Sequence, residues 1–460
     1  EIPFVFLLCM AQGATQWGLA MSIAPLHIVG AHFGIDGDAA QESWSAAAYS
    51  LTVGTFILVA GRLGDLYGHK RLFIIGWLWY ALWSVIGGVS YWGPNVILFD
   101  FCRGMQGIGP ALLFPNALAI LGRTYPPGRR KEMVFSFFGL AAPSGFLIGS
   151  VFAGLISQLS FWPWLYWINA IACVIFALLS IPLVPSVHEY NPIRNEPGHL
   201  DIPGCITGVI GLVLINFSWN QGPGVGWSTV YVYVLLIVGF CFMGLFFWIE
   251  LHARHPLIPI KSLSTEIVLV LGAVAAGWAS FGIWLFYLYQ MWEVLRGQTP
   301  LASAAQISPV ALAGGCAAIT TGLVISKIHP GWLMLISMTA FTVGNVLLAT
   351  MPIEQTYWTQ SFIASIVTPW GMDMSFPASN IMVSNFMPRN QQGLSASLVN
   401  TVINYSISIG LGVAGTVESR ILANGGSTLE GYRSAWYVGI GLGVLGMAIS
   451  VCLLLLTGKK

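Results

Sequence analysis

Gly61-Arg62-Leu63-Gly64-Asp65-Leu66-Tyr67-Gly68-His69-Lys70-Arg71 is a short, charged, glycine-spaced stretch held between two long apolar runs, Ala46 to Ala60 and Leu72 to Val89. Two apolar helices that meet here must reverse direction within a few residues. Glycines at 61, 64 and 68 allow the close backbone approach that such a turn needs. The basic trio His69, Lys70 and Arg71 would hold the turn on the cytosolic side of a membrane. Asp65, at a helix end, can pair with a neighbouring cation or a helix N-terminus. Gly61, Asp65, Gly68 and Arg71 are therefore candidates for a conformational latch.

The composition agrees with a membrane setting. Of 460 residues, 56% are hydrophobic and only 8% charged, against about 25% charged in soluble domains. The mean hydropathy is +0.77. A net charge of +1 gives no case for a nucleic-acid partner. All seven cysteines fall inside apolar runs without metal-ligand spacing, so neither a disulfide framework nor a metal site is expected. No signal peptide is read at the start, because the run from Phe4 is long enough to be a span. The start at Glu1 rather than Met is read as trimmed, mobile termini.

A membrane helix needs about 20 apolar residues, and fourteen such runs can be read. They cover roughly 3–26, 43–62, 71–91, 96–121, 133–157, 164–184, 202–219, 229–250, 267–291, 304–326, 332–351, 357–384, 394–417 and 434–457. An even number puts both termini on one side. With the termini inside, fourteen of the eighteen Lys and Arg lie on the inner side. Only Arg296, Arg420 and Arg433 lie outside, and Arg103 falls within a span. The excess of positive charge predicts cytoplasmic termini. Asp36, Asp38, Glu42, Glu293, Glu354, Glu418 and Glu430 are read as acidic residues of outer loops, and His27 and His32 as solvated at the outer end of the first span.

A degenerate repeat divides the chain. Phe114-Pro115-Asn116 in span 4 has a counterpart 262 residues later, Phe376-Pro377-Ala378 in span 12. Each is followed by a Pro-containing loop, Tyr125-Pro126-Pro127 and Phe386-Met387-Pro388. The expected layout is an N-terminal six-helix bundle over 1–185, a cytoplasmic linker with two inserted helices over 186–265, and a C-terminal six-helix bundle over 266–460. Parallel halves of this kind enclose a substrate site near the bilayer midplane.

The 61–71 stretch resembles the signature loop between helices 2 and 3 of the major facilitator superfamily, G-x-x-x-D-x-x-G-[RH]-[RK]-[RK]. Arg103-Gly104-Met105-Gln106-Gly107 is similar to the superfamily's R-G-x-Q-G motif. Pro143, Gly145 and Gly149 lie in a stretch that looks like the antiporter signature G-P-x-x-G-G, although Phe146 stands where the pattern has its proline. Trp162 to Asn169 resembles the start of helix 6. Gln16-Trp17-Gly18-Leu19-Ala20-Met21-Ser22-Ile23-Ala24-Pro25 aligns with the D-x-T-x-x-N-x-A-L-P pattern of the fourteen-span drug:proton antiporters, with Gln16 replacing the acid. Thr15-Gln16, residues 22–27 and Phe114-Pro115-Asn116 look like the fungal aminotriazole-resistance group, which includes boron-export and low-affinity ammonium transporters. The resemblance implies an all-α integral membrane protein of the major facilitator fold, with two six-helix bundles, two inserted helices and fourteen transmembrane helices.

Charges at membrane depth are costly and are functional candidates by default. Asp373, in Pro369-Trp370-Gly371-Met372-Asp373, is the leading proton-coupling residue, because its proton occupancy would respond to burial and to a nearby cation. Arg103 is the second, and Asp100, one turn away, offers it a purely structural alternative partner. Gln12, Gln16, Asn116, Asn380, Asn404 and Trp370 are candidate cavity residues, although membrane amides serve as interhelical glue about as readily.

The function expected is secondary active transport: proton-coupled export of small polar solutes or drugs by alternating access. The alternative is passive facilitation of ammonium or boric acid, which Gln16 and the displaced Pro143 favour. A non-transporting membrane receptor is a third class, opposed by the intact 61–71 loop. No catalytic motif is found, so an enzyme is not expected, and no cofactor is implied. The partners are a small-molecule substrate, protons and the lipid bilayer. A monomer is expected, in the plasma membrane or, as a second possibility, the vacuolar membrane.

Overall fold

The computed structural model describes residues 1–35, 38–93, 95–125, 129–185, 200–253, 256–258, 260–325, 327–386 and 392–457, and these residues are almost entirely helical. The helices are α1 (Ile2–Ile23), α2 (Leu26–Phe33), α3 (Ala39–Glu42), α4 (Trp44–Tyr67), α5 (His69–Val89), α6 (Val96–Thr124), α7 (Arg129–Leu159) and α8 (Trp164–Leu183). They continue as α9 (Ile202–Val225), α10 (Val230–His252), α11 (Thr265–Gln290), α12 (Pro300–Gln306), α13 (Pro309–Val324), α14 (Pro330–Ala349), α15 (Gln360–Phe386), α16 (Gln392–Ala423) and α17 (Thr428–Thr457). The expected loop residues Pro126, Pro127, Met387 and Pro388, and linker residues 186–199, lie outside the described set.

Among the described residues, thirteen helical segments are long and apolar enough to cross a membrane. The one expected span not among them, the twelfth, is α15, which has 27 residues and so reaches about 40 Å, but it is too polar to qualify by composition. Its position accounts for this. It packs against α11, α13, α14 and α16, so Thr368, Ser375 and Ser379 are turned into protein. By contrast, α10 leaves Val234, Ile237, Phe240, Phe247 and Trp248 exposed, as a helix at the rim of a bundle does in lipid.

Local chemistry sets the breaks. α4 hands over to α5 at Gly68, whose φ of +99° lies in the left-handed region that other residues avoid. The tenth expected span is two helices rather than one. Pro309, which has no N–H to donate, opens α13 just after α12 ends at Gln306. The Asp201 carboxylate caps α9 through Gly204 N at 2.9 Å, and the Ser264 hydroxyl caps α11 through Ile267 N at 3.4 Å.

α1 and α4–α8 pack chiefly on one another, as do α11 and α13–α17; α9 and α10 pair together, with α9 laid against α16 and α4. The first group meets the second along two seams. In one, α4 packs along α16, and a Cβ at Gly54 would lie 2.7 Å from Tyr405 N. Nearer the 61–71 turn, a Cβ at Gly61 would lie 3.1 Å from the Ser397 hydroxyl. The other seam joins α7 to α12 and α13. We call the face carrying the 61–71 turn the lower face, and its opposite the upper face.

Candidate functional site

Arg103, on α6, is completely enclosed. Its guanidinium donates to the Ser22 hydroxyl and the Gly18 carbonyl of α1 and to the Gln106 amide oxygen one turn along. The Tyr49 and Tyr166 rings flank it, with centroids 4.9 and 5.6 Å away, and such contacts favour a desolvated cation. Gln106 in turn donates to Trp83 O at 3.0 Å. Ser22 and Ser45 exchange hydroxyl–carbonyl bonds at 3.1 and 3.2 Å. Arg103 thus ties α1 to α6 within the first helix group, and its hydrogen bonds go to these residues rather than to Asp373 or Asp100.

Asp373 has different surroundings. It sits in the middle of α15, where a Cβ on Gly314 of α13 would lie 2.6 Å from its Oδ2 and 3.3 Å from Pro143 of α7. Oδ2 is buried and has no hydrogen-bond partner. The Ser375 hydroxyl, a natural candidate to satisfy it, instead accepts from Trp278 Nε1 at 3.2 Å and donates to Met372 O. Seven residues on, Asn380 donates to Phe376 O at 2.7 Å, and its Oδ1 is also buried and unpaired. Two turns of helix bring Asp373 and Asn380 onto one face. One face of α15 therefore carries two unsatisfied oxygens, and the upper one lies at the seam between the helix groups.

The other expected cavity residues separate. Gln12 is buried and Gln16 half-buried on α1. Asn404 donates to Asn400 O within its own helix, at 3.0 Å. Trp370 lines an apolar groove with Trp332, Ile336 and Val343, which are exposed on the outside of the bundle, so it faces the lipid side. Asn116 belongs to the lower-face turn. Its Oδ1 lies 2.7 Å from His69 Nδ1, whose Nε2 lies 3.3 Å from Asp65, while Arg123 donates to Asp65 at 3.0 Å. The candidate latch residue Asp65 thus belongs to a polar chain of Asn116, His69, Asp65 and Arg123 across α4, α5 and α6. Gly64 is the floor on which it rests, because a Cβ there would overlap both Asn116 and His69. Gly61 meets α16, Gly68 makes the turn, and Arg71 points outward. Of the antiporter-motif helix, Gly145 and Gly149 abut Gly13 and Trp17 of α1, whereas Pro143 faces α13.

Residues 6–296 match the family described as the Major Facilitator Superfamily. The chain belongs to that superfamily. It is 57% identical to the low affinity ammonium transporter of Saccharomyces cerevisiae over 455 residues, covering 98% of this chain and 88% of that one. It is 48% identical to efflux pump terJ of Aspergillus terreus, covering 98% and 87%. It is 37% identical to the aminotriazole resistance protein of Saccharomyces cerevisiae, covering 98% and 84%. Among solved structures, a peptide transporter POT superposes with a TM-score of 0.68 at 13% identity, over 99% of this chain and 94% of that one. The likeness in structure is one of fold. The fold is that of a major facilitator and the relatives are fungal transporters and efflux pumps, so this chain is a membrane transporter of small molecules, not an enzyme.

On this major facilitator frame, sequence reading missed a polar network at the upper face. His27 Nδ1 lies 3.1 Å from Glu42 Oε1, and His27 Nε2 lies 3.9 Å from Glu293 Oε2. Gln290 donates to the other Glu42 oxygen at 2.9 Å and accepts from Tyr432 at 3.1 Å, while Tyr287 donates to Glu418 at 2.7 Å. Glu42 and Glu418 are 2% and 3% exposed, so these acids are core groups rather than the outer-loop charges expected. The available signal was Tyr289-Gln290-Met291-Trp292-Glu293-Val294-Leu295, an acid inside an aromatic and apolar run. His32, by contrast, is exposed as expected and bonds Tyr91 O.

Proposed function

We propose that this transporter exports small polar solutes or drugs in exchange for protons, with Asp373 as the proton-coupling group. The observation that carries the reading is the unpartnered Asp373 oxygen at the seam between α15, α13 and α7. A buried carboxylate oxygen without a partner is costly, and taking up a proton or a cationic ligand would relieve that cost. Movement of α7 against α13 would change access to it, which links protonation to alternating access. Asn380 supplies an acceptor for cargo on the same face. Arg103 acts as a structural strut in this scheme, so its expected coupling role passes to Asp373 alone. The efflux-pump and resistance relatives support export.

In the same scheme a bundle over 1–185 and one over 266–460 rock about the site, with 186–265 inserted and the latch controlling the lower face. The excess of Lys and Arg on the lower side supports cytoplasmic termini. The transporter works as a monomer in the plasma membrane, and the vacuolar membrane is the other setting considered. A second reading, passive movement of ammonium or boric acid, is favoured by Gln16 in place of a membrane acid and by the ammonium-transporting relative.

The test uses purified protein in liposomes with labelled aminotriazole, boric acid and methylammonium, with and without an imposed pH gradient. Uphill accumulation that needs both the gradient and Asp373 supports antiport. Protein-dependent flux that only equilibrates, and is the same in Asp373→Asn, supports the facilitator.

A further inference from the structure

We propose that His27, Glu42 and Glu293 form a second proton-binding site, distinct from Asp373, whose occupied form holds the upper face closed. It goes beyond the transport reading in assigning a site and a gate, and takes from it only the orientation that makes the upper face external.

Three observations combine. First, the cluster crosses the seam: His27 and Glu42 stand on α2 and α3, whereas Glu293 lies on the wide helical turn 291–295 that follows α11, beside Gln290. Opening the upper face must break the Gln290–Glu42 hydrogen bond and the His27–Glu293 pair. Second, the Glu293 side chain is only 3% exposed and neither carboxylate oxygen receives a well-formed hydrogen bond. The buried Ser303 hydroxyl faces it and is the nearest donor. Third, His27 stands between two carboxylates, one at each ring nitrogen.

The surroundings are net acidic. Asp38 and Glu418 face the cluster from the start of α3 and from α16, Asp100 on α6 lines the same cleft as Glu42, and Tyr287, Tyr289 and Tyr432 face the cluster from α11 and α17. Arg103 is committed to Ser22, Gly18 and Gln106. Gathering Glu42 and Glu293 around a neutral His27 would bury two like charges together, which is unfavourable at low dielectric. A proton held among the three groups removes that penalty, and it does so only while the helix groups are together. The closed form therefore binds the proton more tightly than the open form. By linkage, raising the external pH opens the gate, by at most about tenfold per pH unit for a single proton.

The experiment reads the gate without any substrate. Spin labels are attached at Leu159, at the upper end of α7, and at Asn424, beyond the upper end of α16. The exposed Cys241, Cys316 and Cys452 are replaced by serine, and distances are measured by pulsed electron resonance in liposomes over roughly pH 5 to 8, the range in which histidine titrates. The expected result is a longer-distance population that grows with pH. Glu293→Gln, a neutral isostere, should keep that population low and flat with pH. His27→Gln should also abolish the pH response, and it serves if the first variant misfolds. Asp373→Asn should still show a population that grows with pH, whatever its absolute size, which separates failure of this proposal from failure of the coupling assignment. An unchanged pH response in well-folded Glu293→Gln and His27→Gln overturns the site. So does a response lost only in Asp373→Asn, or no response in the wild type.

Discussion

Arg103 and Asp373 are both charges deep in the bundle, yet their surroundings differ. Arg103 has its guanidinium committed to three neighbours and is flanked by two tyrosine rings. Asp373 has a buried oxygen with nothing to receive. Both are expensive to bury, but only the second has an unmet need that a proton or cargo can fill. Depth within a membrane span treats the two residues alike; satisfaction of their polar atoms separates them.

The largest effect should come from Asp373→Asn. This change should reduce accumulation under a pH gradient to simple equilibration while leaving the melting temperature unchanged or higher, since it removes an unsatisfied buried charge. Liposome flux and thermal melting in detergent check both halves. A lowered melting temperature with intact accumulation would reverse the roles assigned to Asp373 and Arg103. Next is Arg103→Ala, which strands Ser22, Gly18 and Gln106 and should cost about 3 kcal/mol, read as a fall in melting temperature. Arg103→Lys should recover part of this, with the pH dependence of any remaining flux unchanged.

The lower-face latch gives smaller effects. His69→Ala breaks the link between Asp65 and Asn116 and should cost about 1–2 kcal/mol, together with slower turnover at unchanged substrate affinity. Asp65→Asn should cost less than about 1 kcal/mol, because the carboxylate is 43% exposed and its pair with Arg123 is screened by solvent. Its effect should lie in turnover. Lost substrate binding in either variant would move the latch into the cargo site.

These contrasts mark what the sequence could carry. Apolar runs longer than 20 residues, divided by Pro, Gly and charge, make the helices legible, and the 61–71 latch is legible because its turn residues are contiguous. The link from His69 to Asn116 was hidden, since those residues are 47 positions apart. The same holds more strongly for Glu42 and Gln290, which meet across 248 positions. A carboxylate near a helix end reads as a loop charge until its partners are known. Trp370 is expected in the cavity, but the packing of α15 against α14, which the sequence does not show, puts it in an outward groove with Trp332, Ile336 and Val343. Asp373 was found by burial alone; what distinguishes it from Arg103 is the absence of a partner, which only coordinates reveal.

The most direct test of Asp373 as the coupling group is substrate-induced proton release from purified protein in weakly buffered detergent solution, followed with a pH indicator. The substrate used is the panel member with the highest liposome flux, and the wild type, Asp373→Asn and Arg103→Lys are compared. The account predicts release from the wild type and from Arg103→Lys, and none from Asp373→Asn at saturating substrate. Undiminished release from Asp373→Asn would contradict it.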